Sequence, residues 1–470
     1  MALLLLTSVE LVVFLDVSIV NVALPAMSSA LALTDAGLAW VVNAYQLTFG
    51  GLQLVAGRVA DLAGRRRVFQ AGLATFTLAS GLAAAAPNAA VLVTARALQG
   101  VGAAIVVPAE LALLAAVFTE PAQYRRAFGV WSAMGAAGAA SGVALGGILT
   151  ETVGWPAIFW INIPVGVVAL ALSPRHLPAD DRTRTPLCGR LDLAGALAGT
   201  GTLLAAMYAA SALADGHAVP ATVAGGAALG LGAAFVANQR RRPEPVLPTA
   251  ILRIPEVRAS AVANALVGAA HVPAFVLLSL VLQQVLGYSA IAAGFAVLPI
   301  AILNLVTARS VLPYALGRYG ARVLLAAGLG LIAAGLAGYA LLLAPGARYL
   351  TAVLAPSVLF AVGLPTAFVA STAPAVQAVP AHQTGATSGL VNTAQRVGSA
   401  FGVTGLLLLA EAWTRHHGGD AAPQALATGL RLGFAGAAGL AALGVLCALT
   451  LFPRPSPTQT PPTPAAETNT

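Results

Sequence analysis

The sequence predicts an all-α polytopic membrane protein: two six-helix bundles plus an inserted helix pair, fourteen transmembrane helices in all. Three observations lead there. Of 470 residues, 59% are hydrophobic and 9% charged, with a mean hydropathy of +0.87, whereas soluble domains carry roughly a quarter charged residues. The apolar runs are about twenty residues long, the length a helix needs to cross hydrocarbon, with none of the short alternating segments of a barrel. Finally, a basic motif from the first part of the chain returns past its middle.

Taken in order, the first run opens with MALLLLTSVE and has no basic stretch ahead of it, so it reads as an uncleaved helix, not a secretory signal. Six spans fall near 4–26, 37–59, 68–87, 90–114, 127–149 and 156–173. Two more, near 191–211 and 219–238, form the inserted pair. The last six fall near 258–282, 290–312, 323–343, 350–375, 385–410 and 425–451. From Pro453 the chain reads PRPSPTQTPPTPAAETNT, a Pro/Thr-rich composition expected to be disordered. The implied division is an N-terminal bundle over 1–173, loops and inserted pair over 174–257, a C-terminal bundle over 258–452 and a tail over 453–470.

All 24 basic residues are arginine. With the first helix starting inside, twenty of them fall on inner loops and flanks, Arg396 being counted there. Only Arg348, Arg415 and Arg431 fall outside, and Arg96 lies within a span. Positive loops stay in the cytoplasm, which places both termini there and the protein in the cell membrane. The net charge of +8 is thereby a topology signal and not a nucleic-acid surface. The expected partners are the lipid bilayer, a small-molecule substrate and protons, with the chain acting as a monomer. Cys188 and Cys447 fall in an inner loop and the last helix, and no disulfide is expected.

The recurring motif is GRVADLAGRRRVFQAG after span two and PYALGRYGARVLLAAG after span ten. Aligning Gly64 with Gly320 places Arg66 over Arg322. Paired repeats with a site at their interface are the mark of secondary transporters.

Several stretches carry a more specific likeness. LDVSIVNVALP (15–25), WVVNAYQLTFGGLQLVAGRVADLAGRRRVF (40–69), RALQGVGAA (96–104) and FWINIPVG (159–166) occur in this order on helices one, two, four and six. Together they resemble the fourteen-helix drug:proton antiporter branch of the major facilitator superfamily over nearly the whole chain. The resemblance implies proton-coupled efflux of amphipathic small molecules, such as drugs or secondary metabolites, by alternating access. The sequence departs from the pattern at Val143, where the fifth helix usually carries proline, and at Trp155-Pro156-Ala157, where Trp-Arg-Trp is usual. A proton-coupled importer or facilitator of a small polar metabolite therefore stays open as an alternative.

Candidate site residues follow from polar groups at membrane depth, which are costly unless functional or paired. In the loop motif, Gly57 and Gly64 permit close helix approach, while Asp61 and Arg65, with Arg66, can pair at the cytoplasmic face. They serve as topology anchors or, as the resemblance implies, as a gate that locks one conformation. On helix two, Asn43, Gln46, Gly50 and Gln53 share a face that meets a cavity or another helix, with Tyr45 offering a stacking edge to a flat substrate. On helix four, Arg96, Gln99, Ala103 and Glu110 fall within about 60° of arc, Glu110 about 21 Å deeper than Arg96.

Helix one carries two carboxyls. With Asp16 at zero and about 100° per residue, Glu10 falls at about 120°, Asn21 at about 140° and Ser18 at about 200°. Asp16 thus points away from the others, and its depth matches Arg96, while Glu10 matches Glu110. Beside a guanidinium an aspartate stays charged, and in a drier cavity it takes up a proton. Asp16 is therefore the candidate proton carrier; Arg96 is assigned to proton handling by the resemblance. Glu10 and Glu110 are further candidates, for protons or for attracting cationic substrates, unless Glu110 is simply hydrated. Asn21, Gln99 and His271 complete the expected substrate cavity, although His271 could instead bond a backbone carbonyl near Pro273. Gly138, Gly142 and Gly146 form a small-residue face for helix packing. Arg396, with Asn392 and Gln395, reads as a gate or anchor. No Walker A sequence occurs, so the proton motive force and not ATP or a cofactor is expected to drive transport. H-E-x-x-H is also missing, no metal is expected, and the chain is not read as an enzyme.

Overall fold

A computed structural model describes residues 1–179, 192–214, 217–242, 251–380, 384–417 and 423–452. Cys188 and the tail from Pro453 lie outside the described residues, as do the side chains of Arg58 and Asp61 within their helix. Among the described residues there is no strand. The first half holds α1 (Ala2–Leu31), α2 (Asp35–Ala63), α3 (Arg65–Ala84), α4 (Ala89–Val117), α5 (Pro121–Thr152) and α6 (Ala157–His176). The inserted pair is α7 (Leu193–Ala214) and α8 (Ala218–Arg241). The second half holds α9 (Pro255–Val285), α10 (Ala290–Val311), α11 (Leu312–Leu342), α12 (Tyr349–Gln377), α13 (Thr384–His416) and α14 (Pro423–Leu451). Eleven described helices are long and apolar enough to cross a membrane. The three long helices outside that set are α2, α3 and α5; α2 carries the amide stripe and α3 opens on Arg65, Arg66 and Arg67.

Helix starts follow local chemistry. Thr34, Asn88 and Ser289 cap α2, α4 and α10, their side-chain oxygens accepting from Gly37, Val91 and Ala292 amides at 3.1, 3.0 and 3.3 Å.

The two halves pack by the same plan. In the first, α1 lies along α5 and α3 along α4; in the second, α9 lies along α13 and α11 along α12. They meet at two matching seams, α2 against α13 and α5 against α10. The glycines explain the close pairs. A Cβ on Gly138, Gly142 or Gly146 would run into α1 backbone at Leu11, Leu15 and Ile19, and one on Gly398 or Gly402 into α9 backbone at Ala265 and Ala269.

The aligned repeat has a structural meaning. Gly64 (φ 102°) takes the positive φ that breaks the chain between α2 and α3, and Gly320 (φ 74°) takes the positive φ that kinks α11 near its start. Two residues later, Arg66 Nη1 donates to the Pro174 and Leu177 carbonyls, both at 3.3 Å, at the end of α6. Arg322 Nη2 donates to the Leu449 carbonyl at the end of α14. Each arginine thus satisfies carbonyls at the negative end of its half's sixth helix.

Inserted helix α7 lies over the α2–α13 seam. Leu47, Met207 and Ala400 form a small core there, with Trp40, Leu203 and Leu204 packed against it. Asp192 caps α7 through Gly195 N–H at 2.9 Å and accepts from Asn238 Nδ2 at 2.5 Å, tying α8 to it. The outer face of α8, with Val219, Val223 and Leu229, is exposed.

The described hydrogen bonds between the halves run from mid-depth to the end of the bundle far from the N-terminus. Asn43 Nδ2 donates to Thr404 Oγ1 at 2.8 Å, Arg396 Nη1 to Gln46 Oε1 at 2.8 Å and Thr393 Oγ1 to the Gly50 carbonyl at 2.8 Å. Gln283 Nε2 reaches the Val22 carbonyl at 2.9 Å. At the far rim Glu151 accepts from the Ile291 amide at 2.9 Å. That bond, with a second from the Ser289 side chain, holds the exposed Glu151 carboxyl below the usual carboxylate range. Without a proline at Val143, α5 runs unbroken here, and Val143, Ala144 and Gly147 pack on α10 around Gly294 and Ala290.

Candidate transport site

Asp16 sits midway along α1 with no solvent exposure; α4 and α6 bring polar groups to it, and α2 and α3 bring polar groups to those partners. Its Oδ2 lies 2.5 Å from Arg96 Nη1 on α4. Its Oδ1 accepts from Gln99 Nε2 at 3.1 Å and from Asn162 Nδ2, on α6, at 2.9 Å. Ser80 of α3 accepts from the same two amides at 2.8 and 3.3 Å. Arg96 Nη1 also donates to Gln99 Oε1 at 2.9 Å, and its Nε to the Val41 carbonyl of α2 at 3.2 Å. Its flat face covers Tyr45, 4.4 Å from the ring centroid, with Phe159 at 5.8 Å. A buried ion pair holds only when such surrounding bonds replace lost water, and here both charges have them.

A second polar site lies nearer the N-terminal end. Glu10 of α1 and Glu110 of α4, both buried, meet within hydrogen-bonding reach of each other. Glu110 Oε2 accepts from Trp131 Nε1 of α5 at 3.1 Å. Trp131 continues into a ring stack with Phe128 (5.7 Å), which stacks on Tyr124 (6.2 Å).

Between these sites and the other half runs a chain of rings and cations. Tyr45 meets Phe49 edge to face at 5.7 Å, and the guanidinium of Arg396 lies 3.5 Å from the Phe49 centroid. Gly50 leaves the room: a Cβ there would come within 2.8 Å of Arg396 Cβ. The arrangement has no nucleophile–base pair poised for bond chemistry. It can hold and release charge inside a bundle whose halves meet at polar seams.

Comparison with known proteins agrees with that geometry. The Major Facilitator Superfamily matches residues 6–403. The chain belongs to the Major Facilitator Superfamily. It is a multi-pass membrane transporter. The superfamily member is 38% identical to the cephamycin export protein CmcT of Amycolatopsis lactamdurans over 86% of this chain and 84% of the relative. It is 39% identical to the puromycin resistance protein pur8 of Streptomyces alboniger, over 84% and 78% of the two chains. The crystal structure of the nucleoside transporter NupG superposes with a TM-score of 0.69 at 11% identity, covering 96% of this chain and 100% of that one. That last likeness is one of fold.

Within this superfamily fold, several residues expected to line the substrate cavity are enclosed instead. Gln99 belongs to the Asp16 site, bonded on every side by polar partners. Tyr45 has one ring face covered by Arg96, packs at right angles to Phe49 and is buried, so no stacking surface is open on it in this conformation. Asn43 and Gln46 are the seam's donors and acceptors, because amides on α2 face polar groups of α13. Gln53 is half-buried with its Oε1 unpartnered among the described residues. Asn21 turns back to the Val17 carbonyl at 3.4 Å and His271 to the Val267 carbonyl at 2.9 Å, each satisfied within its own helix. Ser18 faces α5, its hydroxyl filling the space that a side chain on Gly142 would need.

Arg396 is a correction. It is not on an inner flank but well inside α13, against the middle of α2, and removing it from the inner tally leaves the arginine asymmetry intact. In the loop motif, Gly57 sits beside Pro108 of α4 and Arg65 Nη1 donates to the Ala112 carbonyl at 3.4 Å. With the Arg66 bonds above, these contacts tie the motif to α4 and α6 of its own half. The expected Asp61 pairing lies outside the described residues. Ser80, Asn162, Trp131 and Thr404 are site residues that sequence reasoning passed over. Ser80 and Asn162 are isolated polar residues in apolar spans, the signal that could have found them.

Proposed function

We propose that this transporter exports amphipathic small molecules, drugs or secondary metabolites, in exchange for protons by alternating access, with Asp16 as the carrier. The observation that carries the reading is the Asp16–Arg96 pair: a buried carboxyl midway along α1, paired with one cation whose other bonds are to Gln99 and the Val41 carbonyl of the same half. If α1 shifts against α4 within the first half as the halves rock, Asp16 loosens from Arg96 and takes a proton; when the pair re-forms, it releases it. Both close relatives are named for export of, or resistance to, an antibiotic, which supports outward transport of such compounds. With both termini cytoplasmic and fourteen spans crossing the cell membrane, the far-end seams lie on the outer side. The chain works as a monomer and draws on the proton motive force, with no cofactor.

Everted vesicles containing the full chain, energised to be acid inside, test this. Puromycin, a cephamycin and ethidium are the probes. Substrate uptake into the vesicles with matching proton release is expected, lost in Asp16→Asn. Coupled transport that survives Asp16→Asn would remove Asp16 from the carrier role, and substrate movement in the opposite direction would favour an importer.

A further inference from the structure

The Glu10–Glu110 pair has an electrostatic imbalance that the Asp16 site lacks. Glu10 Oε2 and Glu110 Oε1 are buried and receive no hydrogen from any donor among the described residues. Charged carboxylates only accept hydrogen bonds. Two of them facing each other in a buried site, with no cation in contact among the described residues, would combine desolvation with like-charge repulsion.

The surrounding elements do not relieve this. Trp131 of α5 supplies one neutral donor, to Glu110 alone. Arg396 of α13 lies within coulombic reach of Glu10, but its described contacts go to Gln46 and Phe49. Tyr45 of α2 is 1% exposed, and its hydroxyl has no partner among the described residues. A hydrogen on one carboxyl turns the facing acceptors into a donor and an acceptor.

We infer that Glu10 and Glu110 hold one shared proton between them, a protonation site separate from Asp16 and about 9 Å from it along α1. The presence of this proton rests on the geometry of the pair; its use as a second carried proton rests on the exchange reading above.

Infrared difference spectroscopy of the full chain in lipid nanodiscs, titrated over pH in H2O and D2O, tests it. The C=O band of a protonated, D2O-sensitive carboxyl is expected at neutral pH, retained in Asp16→Asn and lost in Glu10→Gln/Glu110→Gln. Its absence from the unmodified protein, or its survival in the double variant, would overturn the proposal. Trp131→Phe is the second variant should the double one not fold: it removes only the donor to Glu110, so the band should shift and persist. An unmoved band there would also overturn the assignment. In the ethidium vesicle assay, the double variant should move one proton fewer per substrate. An unchanged count overturns the carried-proton role, whereas loss of all substrate-linked proton movement in the unmodified protein is a failure of the exchange reading and leaves the band intact.

Discussion

The two halves share a scaffold and differ in what it holds. Glycines fix their register. Gly102 lies against the Phe76 amide and Gly363 against the Ile332 amide, at 2.6 and 2.8 Å from a Cβ built on each. Counting back along α4 and α12 from these glycines, Arg96 matches Ser357 and Gln99 matches Phe360; counting forward, Glu110 matches Ser371. On the first helices, Gly138 meets Leu11 and Gly398 meets Ala265, so Asp16 matches Ala270 and Glu10 matches Asn264. Where the first half has an ion pair, the second has a neutral core: Tyr339 and Ser357 share a 2.6 Å hydrogen bond, and Tyr339 packs on Phe434 with ring centroids 5.0 Å apart. Duplication of helix packing has not duplicated the charge. The first half carries the titratable chemistry, and the second contributes a seam and Arg396.

The largest expected contrast comes from cutting the two hubs. Asp16→Ala leaves Arg96 buried without its partner and should destabilise the protein by about 3–5 kcal/mol. Ser357→Ala should cost about 0.5–1.5 kcal/mol, the worth of an ordinary hydrogen bond. Thermal unfolding in nanodiscs reads both, and equal losses would break the distinction.

The scaffold should respond alike in both halves. Gly142→Ala and Gly402→Ala each press a methyl into a facing helix, at an expected cost of about 1–3 kcal/mol. A clear difference between them would show that the halves are not packed by one plan. Smaller again, Arg66→Ala and Arg322→Ala should each cost about 0.3–1 kcal/mol, because each removes a cation from a helix C-terminus.

The smallest effect concerns the rim where the halves touch. The Glu151 carboxyl is held below the usual range by the Ile291 amide and then Ser289, so its contribution is present above the ordinary carboxylate range. It is lost as pH falls through the lowered value. Acidification in that window should loosen the α5–α10 rim, read as lower cross-linking between cysteines placed beside residues 151 and 291. Glu151→Gln should flatten that pH response.

Much of this was legible in the chain. The Gly64–Gly320 alignment led to two positive-φ breaks and two arginines on the ends of sixth helices, because a turn that needs glycine leaves a mark in sequence. The depth match of Asp16 with Arg96 also led to contact, since rise per residue fixes depth along a straight helix. The helical wheel was less informative about partners. It set Asp16 apart from Glu10 but could not say that α6 would bring Asn162 to Asp16, or that α13 would bring Arg396 against Gly50. Tyr45 read as a cavity edge, and packing put it beneath a guanidinium.

The amino-acid sequence by itself determined the solvent, the long helices, the repeat and the position of each polar group along its helix, because hydropathy, helical rise and glycine turns are properties of neighbours along the chain. The tertiary structure alone decided which buried charges are paired and which face each other unpaired. Those relations depend on the rotation and contact of helices far apart in sequence, and in a dry interior a few ångströms separate an ion pair from two carboxyls that must share a proton.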